Sequence, residues 1–313
     1  MIIVFGSINM DMLFRADKLP APGETVLCGA YEIASGGKGA NQALAAARLG
    51  GKVALVGAVG DDGPALRMLR ALRRDGVMTT GVAESPDLLT GCAVVMTDER
   101  GDNQIIVASG ANSHAKSDQV PDEILKPGNL VLMQMEMAPE ENWKLIDRAH
   151  ARGVKTVLNL APAIHIPKSA LEKLDYLIVN QIEARQMAQM LDMEIEEAAD
   201  KMATTISKQA KLSCVITLGE KGAIACSRQG DLVTVPALKL DKVVDTTGAG
   251  DAWCGTFAAA IHEGRGLMEA MQMASVAGSL ACLKKGAQES YAYLGDIEKY
   301  IDQLGEGVFT PRH

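Results

Sequence analysis

Short apolar segments rich in valine and isoleucine alternate along the chain with longer segments in which apolar residues recur at helical spacing. The apolar segments are IIVFG, KVALVGAVG, NLVLMQME, KTVLNLAPA, YLIVNQIEA and CVITLGEKGA. This alternation predicts βα units, in which a mostly parallel sheet carries helices on both faces. Nearly every apolar segment ends in Gly, Asn, Glu or Pro. The carboxyl ends of these strands are therefore the first place to look for a ligand site.

Two segments lack a helix between their apolar runs. Residues 12–37 and 91–109 each contain two strand-like runs around a Pro/Gly-rich or Asp-rich turn. Such pairs predict antiparallel hairpins, which we interpret as a small flap over the main sheet. Because the sequence contains no linker, repeat or low-complexity segment, we predict a single domain over residues 1–313, with this lid inserted from about 12–37 and 91–109.

Composition narrows the class of protein. The chain has 313 residues, of which 48% are hydrophobic, enough for a sizeable core. Its net charge is −8, with no long basic run, so we expect no nucleic-acid partner. The six cysteines are scattered singly, which is typical of a reducing compartment. The opening MIIVFGSINMDM predicts a first β-strand and no signal peptide, and no segment approaches a membrane span of about 20 apolar residues. We therefore predict a cytoplasmic protein without a membrane partner.

The segment DTTGAGD, residues 245–251, combines a Gly-Ala-Gly turn with two carboxylates and is followed by a helical pattern. It matches neither the dinucleotide-binding fingerprint nor the P-loop. Small or absent side chains at Gly248, Ala249 and Gly250 allow their N–H groups to converge with that of Asp251 at a helix N-terminus, where an anion is favoured. From these residues alone, Asp251 is either a proton acceptor beside a bound anion or an ordinary acid in the first turn of a helix.

Four separated motifs together resemble the ribokinase (pfkB) family of carbohydrate kinases. They are GSINMD, ASGGKGANQALAAARLGGKVALVGAVGDD, NQIE and DTTGAGDAWCG, and the resemblance spans residues 1–291 in order. It implies a three-layer α/β sandwich with a mostly parallel central sheet and a small antiparallel β lid. It also implies an ATP-dependent sugar kinase, with D-ribose phosphorylated at its 5-hydroxyl as the leading expectation.

The resemblance assigns roles to the residues of these motifs. Asp251 is expected to be the general base that takes the proton of the sugar hydroxyl, while the N–H groups of Gly248, Ala249 and Gly250 form the anion hole for the γ-phosphoryl group. A polyol requires several fixed donors and acceptors, because a buried hydroxyl without a partner is costly. The residues expected to contact the sugar are Asn9, Asp11, Gly37, Lys38, Asn41, Glu136 and Asp251.

The same resemblance implies a nucleotide site and a magnesium site. Asn180 and Glu183 are expected beside the phosphates, with Glu183 organising Mg²⁺ through water, which suits a cation that loses its hydration shell reluctantly. Thr217 and Gly219 are expected to border the nucleotide, together with Gly250. The alternative for Asn180 and Glu183 is a pair that only caps the helix.

A potassium site is also implied next to the anion hole. The matching positions are Asp245, Thr247, Ala281, Gly286 and Ser290. An all-oxygen set of ligands, mostly backbone carbonyls, suits a large hard cation. The alternative is that Lys284 and Lys285 neutralise this region and no ion binds.

Several alternatives stay open from the sequence. Within the family these are a nucleoside kinase, disfavoured because aromatics make up only 4% of the chain, and a 2-keto-3-deoxy sugar acid kinase. From another class, a non-catalytic sugar-binding relative is conceivable. Trp253, Cys254 and Gln181 depart from the residues that the family often carries, which leaves substrate choice open. A homodimer through the lid is a further expectation.

Overall fold

The computed structural model describes residues 1–100 and 102–312. A large sheet crosses the molecule, with its strands in the spatial order β14-β13-β12-β11-β10-β9-β8-β1-β4-β5. Its strands are β1 (Ile2–Phe5), β4 (Val53–Gly60), β5 (Met78–Ser85), β8 (Leu130–Met133), β9 (Lys155–Asn159), β10 (Tyr176–Asn180), β11 (Ser213–Thr217), β12 (Ala223–Cys226), β13 (Leu232–Val235) and β14 (Val308–Thr310). The strands from β5 to β11 pair in parallel, whereas β12, β13 and β14 add to one edge antiparallel.

Helices cover both faces of this sheet. They are α1 (Lys38–Arg48), α2 (Gly63–Arg74), α3 (Pro139–Ala151), α4 (Lys168–Leu171), α5 (Gln181–Met190), α6 (Ala199–Ala210), α7 (Ala249–His262), α8 (Leu267–Ala281) and α9 (Leu294–Ile301). Two hydrophobic clusters fill the spaces between the layers. One joins the sheet to α1, α2, α7, α8 and α9, and the other joins it to α3, α4, α5 and α6.

The central strands are apolar along their whole length because the sheet is buried on both faces. In β1, Ile2 and Val4 belong to the first cluster, whereas Ile3 and Phe5 belong to the second. This alternation follows from the two-residue period of a strand. The expected three-layer α/β fold with a mostly parallel sheet is confirmed.

A second, four-stranded sheet has the order β3-β2-β6-β7. Its strands are β2 (Asn9–Arg15), β3 (Tyr31–Gly36), β6 (Gly91–Thr97) and β7 (Asn103–Ala108). The two predicted hairpins, β2–β3 and β6–β7, are antiparallel, and a parallel pairing of β2 with β6 joins them. The first hairpin begins at Asn9, earlier than the sequence indicated. Gly101, within the predicted second hairpin, and His313, the last residue of the predicted domain, lie outside the described residues.

The described helices include none that is both long and apolar enough to cross a membrane.

Candidate active site

The N-terminus of α7 provides unpaired backbone donors. Gly248 precedes the helix with φ 74°, a left-handed conformation that favours glycine. Within the described chain, the N–H groups of Gly248, Gly250 and Asp251 donate to no protein acceptor, whereas that of Ala249 donates to the Thr246 carbonyl at 3.2 Å. A Cβ added at Gly250 would meet no atom within 4 Å. The start of α7 therefore has both free N–H groups and open space for an anion.

Asp251, in the first turn of α7, is a buried carboxylate held by two amides. Asn41 Nδ2 donates to Asp251 Oδ2 at 3.0 Å, and Gln42 Nε2 donates to Asp251 Oδ1 at 2.9 Å. Both amides belong to α1. The Asn41 Oδ1 atom in turn accepts from Gln288 Nε2 at 3.0 Å. The carboxylate thus has a fixed orientation beside the free N–H groups, which an ordinary first-turn acid on a helix surface would not need.

Polar residues at the ends of β1, β2 and β8 meet the start of α1. Glu136 Oε2 accepts from the Ser7 hydroxyl at 2.6 Å and from the Lys38 N–H at 3.1 Å, so this carboxylate caps α1. Strand β8 ends at Met133, which places Glu136 in the loop beyond the strand and not at its last residue as the sequence suggested. Gly37 is the residue before the helix, with φ 89°. A Cβ on Gly37 would lie 2.6 Å from the Asn9 nitrogen, so the turn packs tightly against β2.

Asp11, in β2, brings a half-buried carboxyl group close to those of Asp251 and Glu136. Its Oδ1 atom is buried and has no hydrogen-bond partner among the described residues, although such atoms are normally paired. Neighbouring Asn9 is already engaged, because its Oδ1 accepts from Asn112 Nδ2 at 2.7 Å. A ligand hydroxyl would supply the donor that Asp11 Oδ1 lacks.

The charges of the site act on one another. Burial, together with the nearby carboxylates of Glu136 and Asp251, raises the pKa of Asp11 from its ordinary value of 3.8 to about 7, against the opposing effect of Lys38. The Asp251 carboxylate raises the pKa of the Lys38 ammonium above its ordinary value despite burial, and Glu136 and Glu183 contribute in the same direction. Lys38 therefore stays charged and lies among several carboxyl groups, each of which it stabilises in the ionised form.

The raised pKa of Asp11 predicts a pH-dependent stability. Because the folded protein keeps the Asp11 proton up to about pH 7 while the unfolded chain releases it near pH 3.8, the free energy of unfolding falls as pH rises between these values. Asp11→Asn removes this dependence. We expect the melting temperature of the variant, relative to that of the wild type, to rise by on the order of a few degrees from pH 4 to pH 8. Melting curves at several pH values measure this, and a constant difference between the two proteins would contradict it.

Asn180 and Glu183 cap the start of α5. The Asn180 N–H donates to Glu183 Oε2 at 2.7 Å, and the Glu183 N–H donates to Asn180 Oδ1 at 2.8 Å. Burial raises the pKa of Glu183, although the N–H of Asn180 and the charge of Lys38 oppose the shift. The capping alternative is thus present in the structure. Capping does not exclude a role at the phosphates, because the charges of Lys38 and Asp251 both affect the pKa of Glu183, which places its carboxylate near these residues.

Thr217 is the last residue of β11 and Gly219 lies just beyond it, at the same carboxyl edge of the sheet as Asn180. Residues Asn180 and Thr217 are direct partners in the β10–β11 register. Gly219 has φ 59°, is exposed, and would meet no atom within 4 Å if it carried a Cβ. This edge is therefore open on the side where the nucleotide is expected.

The residues expected to hold potassium lie in the loop before α7 and in the segment from the end of α8 to Ser290, and Asp245 joins these two segments. Asp245 Oδ1 accepts from the Thr247 N–H at 2.9 Å and from the Thr247 hydroxyl at 2.7 Å, while Oδ2 accepts from the Gly286 N–H at 2.9 Å. Partial burial acts to raise the pKa of Asp245, but these hydrogen bonds outweigh it and lower the pKa below its ordinary value. Ala281 is the last residue of α8, and the Ser290 hydroxyl donates to the Ala287 carbonyl at 2.6 Å.

Sequence reasoning missed several polar residues that organise the site. They are Ser7, Gln42, Asn112, Asn159 and Gln288, and all of them are buried. The available signal was weak: Gln42 follows Asn41 directly, and Ser7 stands in GSINMD, but neither spacing shows that their side chains meet a carboxylate. The departures Trp253 and Cys254 are buried in α7, and Gln181 is the exposed first residue of α5.

A buried carboxylate beside free N–H groups at the start of a helix, near side chains that can pair with several hydroxyls, is the arrangement expected of a kinase of small hydroxylated molecules. The sequence model described as "pfkB family carbohydrate kinase" matches residues 1–292. The chain belongs to this family, and it is accordingly a phosphotransferase that acts on a sugar hydroxyl.

Individual relatives agree with this assignment. The chain is 33% identical over 307 residues to a ribokinase of Schizosaccharomyces pombe, covering 95% of this chain and 96% of that protein. It is 32% identical over 303 residues to a deoxyribokinase of Salmonella typhi, covering 96% of this chain and 98% of that protein. The structure of Arabidopsis thaliana ribokinase complexed with ribose and ATP matches with a TM-score of 0.86 and 30% identity, covering 96% of this chain and 98% of that one.

Proposed function

We propose that this protein is an ATP-dependent ribokinase, which transfers the γ-phosphoryl group of ATP to the 5-hydroxyl of D-ribose. The observation that carries the proposal is the buried Asp251 carboxylate, fixed by Asn41 and Gln42 at the open N-terminus of α7. The similarity to ribokinases over almost the whole chain, one of them in complex with ribose and ATP, supports the choice of substrates.

In this proposal each polar group has one task. Asp251 accepts the proton of the sugar hydroxyl as its oxygen attacks the γ-phosphorus, a contribution typically worth roughly 10²–10⁴ in rate. The free N–H groups of Gly248 and Gly250 stabilise the charge on the transferred group, and Ala249 joins them if its turn opens. Asn9, Asp11, Gly37, Lys38, Asn41 and Glu136 position the sugar.

The nucleotide and its metal are assigned to the carboxyl ends of β10 and β11 and the start of α5. Asn180, Thr217 and Gly219 border ATP at the carboxyl edge of β10 and β11. Glu183 keeps one carboxylate oxygen free of the N-terminal capping bond, which fits an outer-sphere role towards Mg²⁺. When bound, the metal neutralises charge on the phosphates.

The loops that contain Asp245 and Gly286 fit a monovalent cation, which we propose to be potassium. The carboxylate of Asp245 and the carbonyl-rich backbone around Thr247, Ala281, Gly286 and Ser290 supply oxygen donors. In the described part of the chain, no group of three or more His, Cys, Asp or Glu is placed to hold a metal, so a transition-metal site is not an alternative there. The cation would stabilise the loop that precedes the anion hole.

Potassium should therefore raise both activity and thermal stability. In Tris buffer free of sodium, we expect kcat to rise with potassium chloride when choline chloride keeps the ionic strength constant. Because poorly aligned donors of an anion hole each cost on the order of 10²–10³ in kcat, even partial misalignment is measurable. The melting temperature should rise in the same titration, since an ion that binds only the folded state stabilises it. Flat curves for both quantities would rule out a functional site.

A substrate panel tests the proposed reaction. Coupled detection of ADP release, with D-ribose, 2-deoxy-D-ribose, hexoses, 2-keto-3-deoxy sugar acids and nucleosides, should give the highest kcat/KM for D-ribose. A tenfold preference for deoxyribose would instead align this chain with its deoxyribokinase relative. The same preference for a nucleoside or a sugar acid would select the corresponding kinase, and no turnover with any of them would favour a non-catalytic relative.

We further propose that two copies associate through the four-stranded sheet. Its edge strand β7 exposes three consecutive apolar residues, Ile105, Ile106 and Val107, at 55%, 65% and 46% of their surface. An apolar, unpaired strand edge is typical of an interface between chains. Sedimentation velocity should show a dimer, and a monomer at micromolar concentration would refute this.

We also propose a cytoplasmic location. The six cysteines are free, and the proposed reaction uses ATP, both of which fit a reducing intracellular compartment.

A further inference from the structure

The catalytic carboxylate is connected to a chain of buried side-chain amides that extends away from the substrate. Asp251 Oδ1 accepts from Gln42 Nε2 at 2.9 Å. Gln42 Nε2 also donates to Asn159 Oδ1 at 3.0 Å, and Gln42 Oε1 accepts from Gln134 Nε2 at 2.7 Å. A carboxamide has two N–H hydrogens, so both of those of Gln42 are used.

This pattern allows only one orientation of the Gln42 amide. Rotating the amide by 180° would place Gln42 Oε1 against the Asp251 carboxylate and against Asn159 Oδ1, and would bring two donors together at Gln134. Asn159 is itself fixed, since its Nδ2 donates to the Ile178 carbonyl at 3.3 Å. Gln42 therefore presents a donor, and not an acceptor, to Asp251 Oδ1.

Gln42 is enclosed and cannot contact a substrate. Its relative exposure is 0%. Helices α1 and α7 approach closely at this point. A Cβ added at Gly255, one turn after Asp251, would lie only 2.4 Å from the Gln42 carbonyl oxygen. The close contact brings the Gln42 side chain within reach of Asp251. Asn41, by contrast, is one of the residues assigned to the sugar.

We propose that Gln42 is the positioning residue of the catalytic base, and that it holds Asp251 Oδ1 so that the carboxylate faces the sugar hydroxyl. A base must direct a free lone pair at the proton that it removes, and misplacement by about 1 Å can cost roughly 10² in rate. A neutral amide fixes the carboxylate without placing a cation beside it. The proposal rests on the proposed function, in which Asp251 is the base.

Gln42→Met tests this role, because it keeps the volume of the side chain and removes the donor. We expect kcat to fall about 10- to 100-fold, while KM for ribose and for ATP changes little. Gln119→Met is the matched control. Its Nε2 donates to the carbonyls of Gly57 at 2.8 Å and Gly81 at 3.1 Å, and its Oε1 accepts from the Lys116 N–H at 2.6 Å. Like Gln42→Met, this variant therefore loses three side-chain hydrogen bonds, but outside the site. Equal kcat in the two variants would overturn the proposal.

A double variant separates positioning from general stability. If Gln42 acts through Asp251, then Gln42→Met should have almost no further effect on kcat in the Asp251→Asn background, because the two losses are not additive. An equal loss of kcat in both backgrounds would overturn the proposal and leave Gln42 a purely structural role.

Gln134→Met provides a second route if Gln42→Met does not fold. It removes the donor to Gln42 Oε1 while leaving Gln42 in place. In the wild-type background we expect kcat to fall less than in Gln42→Met, with little change in KM. In the Asp251→Asn background, Gln134→Met should not lower kcat further. An unchanged kcat in the wild-type background would count against the proposal. These experiments distinguish a failure of the proposed function from a failure of the proposed role of Gln42. A wild-type protein that does not phosphorylate ribose refutes the proposed function. A fully active Asp251→Asn variant refutes only the role of Asp251 as base, on which the role of Gln42 depends.

Discussion

Asp251→Asn should lower kcat by roughly 10²–10⁴ while the protein stays folded and binds ATP. An amide cannot accept the proton of the sugar hydroxyl. The substitution also places an NH₂ group opposite one of the two donors that now hold the carboxylate, Asn41 Nδ2 or Gln42 Nε2. ATP binding should persist, because Asn180, Thr217 and Gly219 lie at the carboxyl ends of β10 and β11. Gly250, in the first turn of α7, contributes only a backbone N–H, which the substitution leaves in place.

The control for this variant is Asp147→Asn. Asp147 lies on α3 and pairs with Lys173 at 2.7 Å on the surface, where an ion pair contributes little to stability. Its kcat should equal that of the wild type. Steady-state kinetics with calorimetric measurement of ATP binding decides the matter, and near wild-type turnover of Asp251→Asn would remove Asp251 from the role of base.

Gly248→Ala should cause the second large loss, on the order of 10²–10³ in kcat. Gly248 has φ 74°, and a Cβ there would lie 2.6 Å from both the Ala287 Cβ and the Tyr291 hydroxyl oxygen. The loop must therefore shift, and the N–H groups at the start of α7 lose their common direction. The shift would also disturb the neighbouring segment that contains Gly286.

Gly264→Ala is the matched control at the other end of α7. Gly264 has φ 88°, but a Cβ there would meet no atom within 4 Å. Both variants incur the cost of a left-handed alanine, about 1–2 kcal/mol, and only Gly248→Ala adds the collision. Kinetics on the folded fraction of each variant compares them. A kcat for Gly248→Ala within twofold of the Gly264→Ala value would contradict the role of this loop.

The sequence predicted the central layers of the fold because its strands have a simple signal. Each of the six quoted apolar segments coincides with a strand of the large sheet: β1, β4, β8, β9, β10 and β11. The parallel edge strand β5 and the antiparallel strands β12, β13 and β14 were not predicted individually. The antiparallel strands have only three or four residues each, and runs this short give little periodic signal. The parallel pairing of β2 with β6 was also missed, since it joins segments that lie far apart in the chain.

For the site, the motifs indicated which residues to examine, but not how they are held. Gly248 and Asp251 stand in one contiguous motif, whereas the Gln42–Asp251 hydrogen bond joins residues 209 positions apart. The interactions of Gln42, Gln134 and Asn159 depend on three strands and two helices meeting. No local pattern records such a network, and amide side chains are mostly found on exposed surfaces.

The most direct test of the central claim is to identify the phosphorylated product of the wild-type protein. With D-ribose, ATP, magnesium and potassium, we expect ADP and sugar phosphate to form in equal amounts. The ³¹P NMR signal of the product should couple to the methylene protons at C5, which defines D-ribose 5-phosphate. Coupling to the single anomeric proton, or release of inorganic phosphate without a sugar phosphate, would contradict transfer to the 5-hydroxyl by this site.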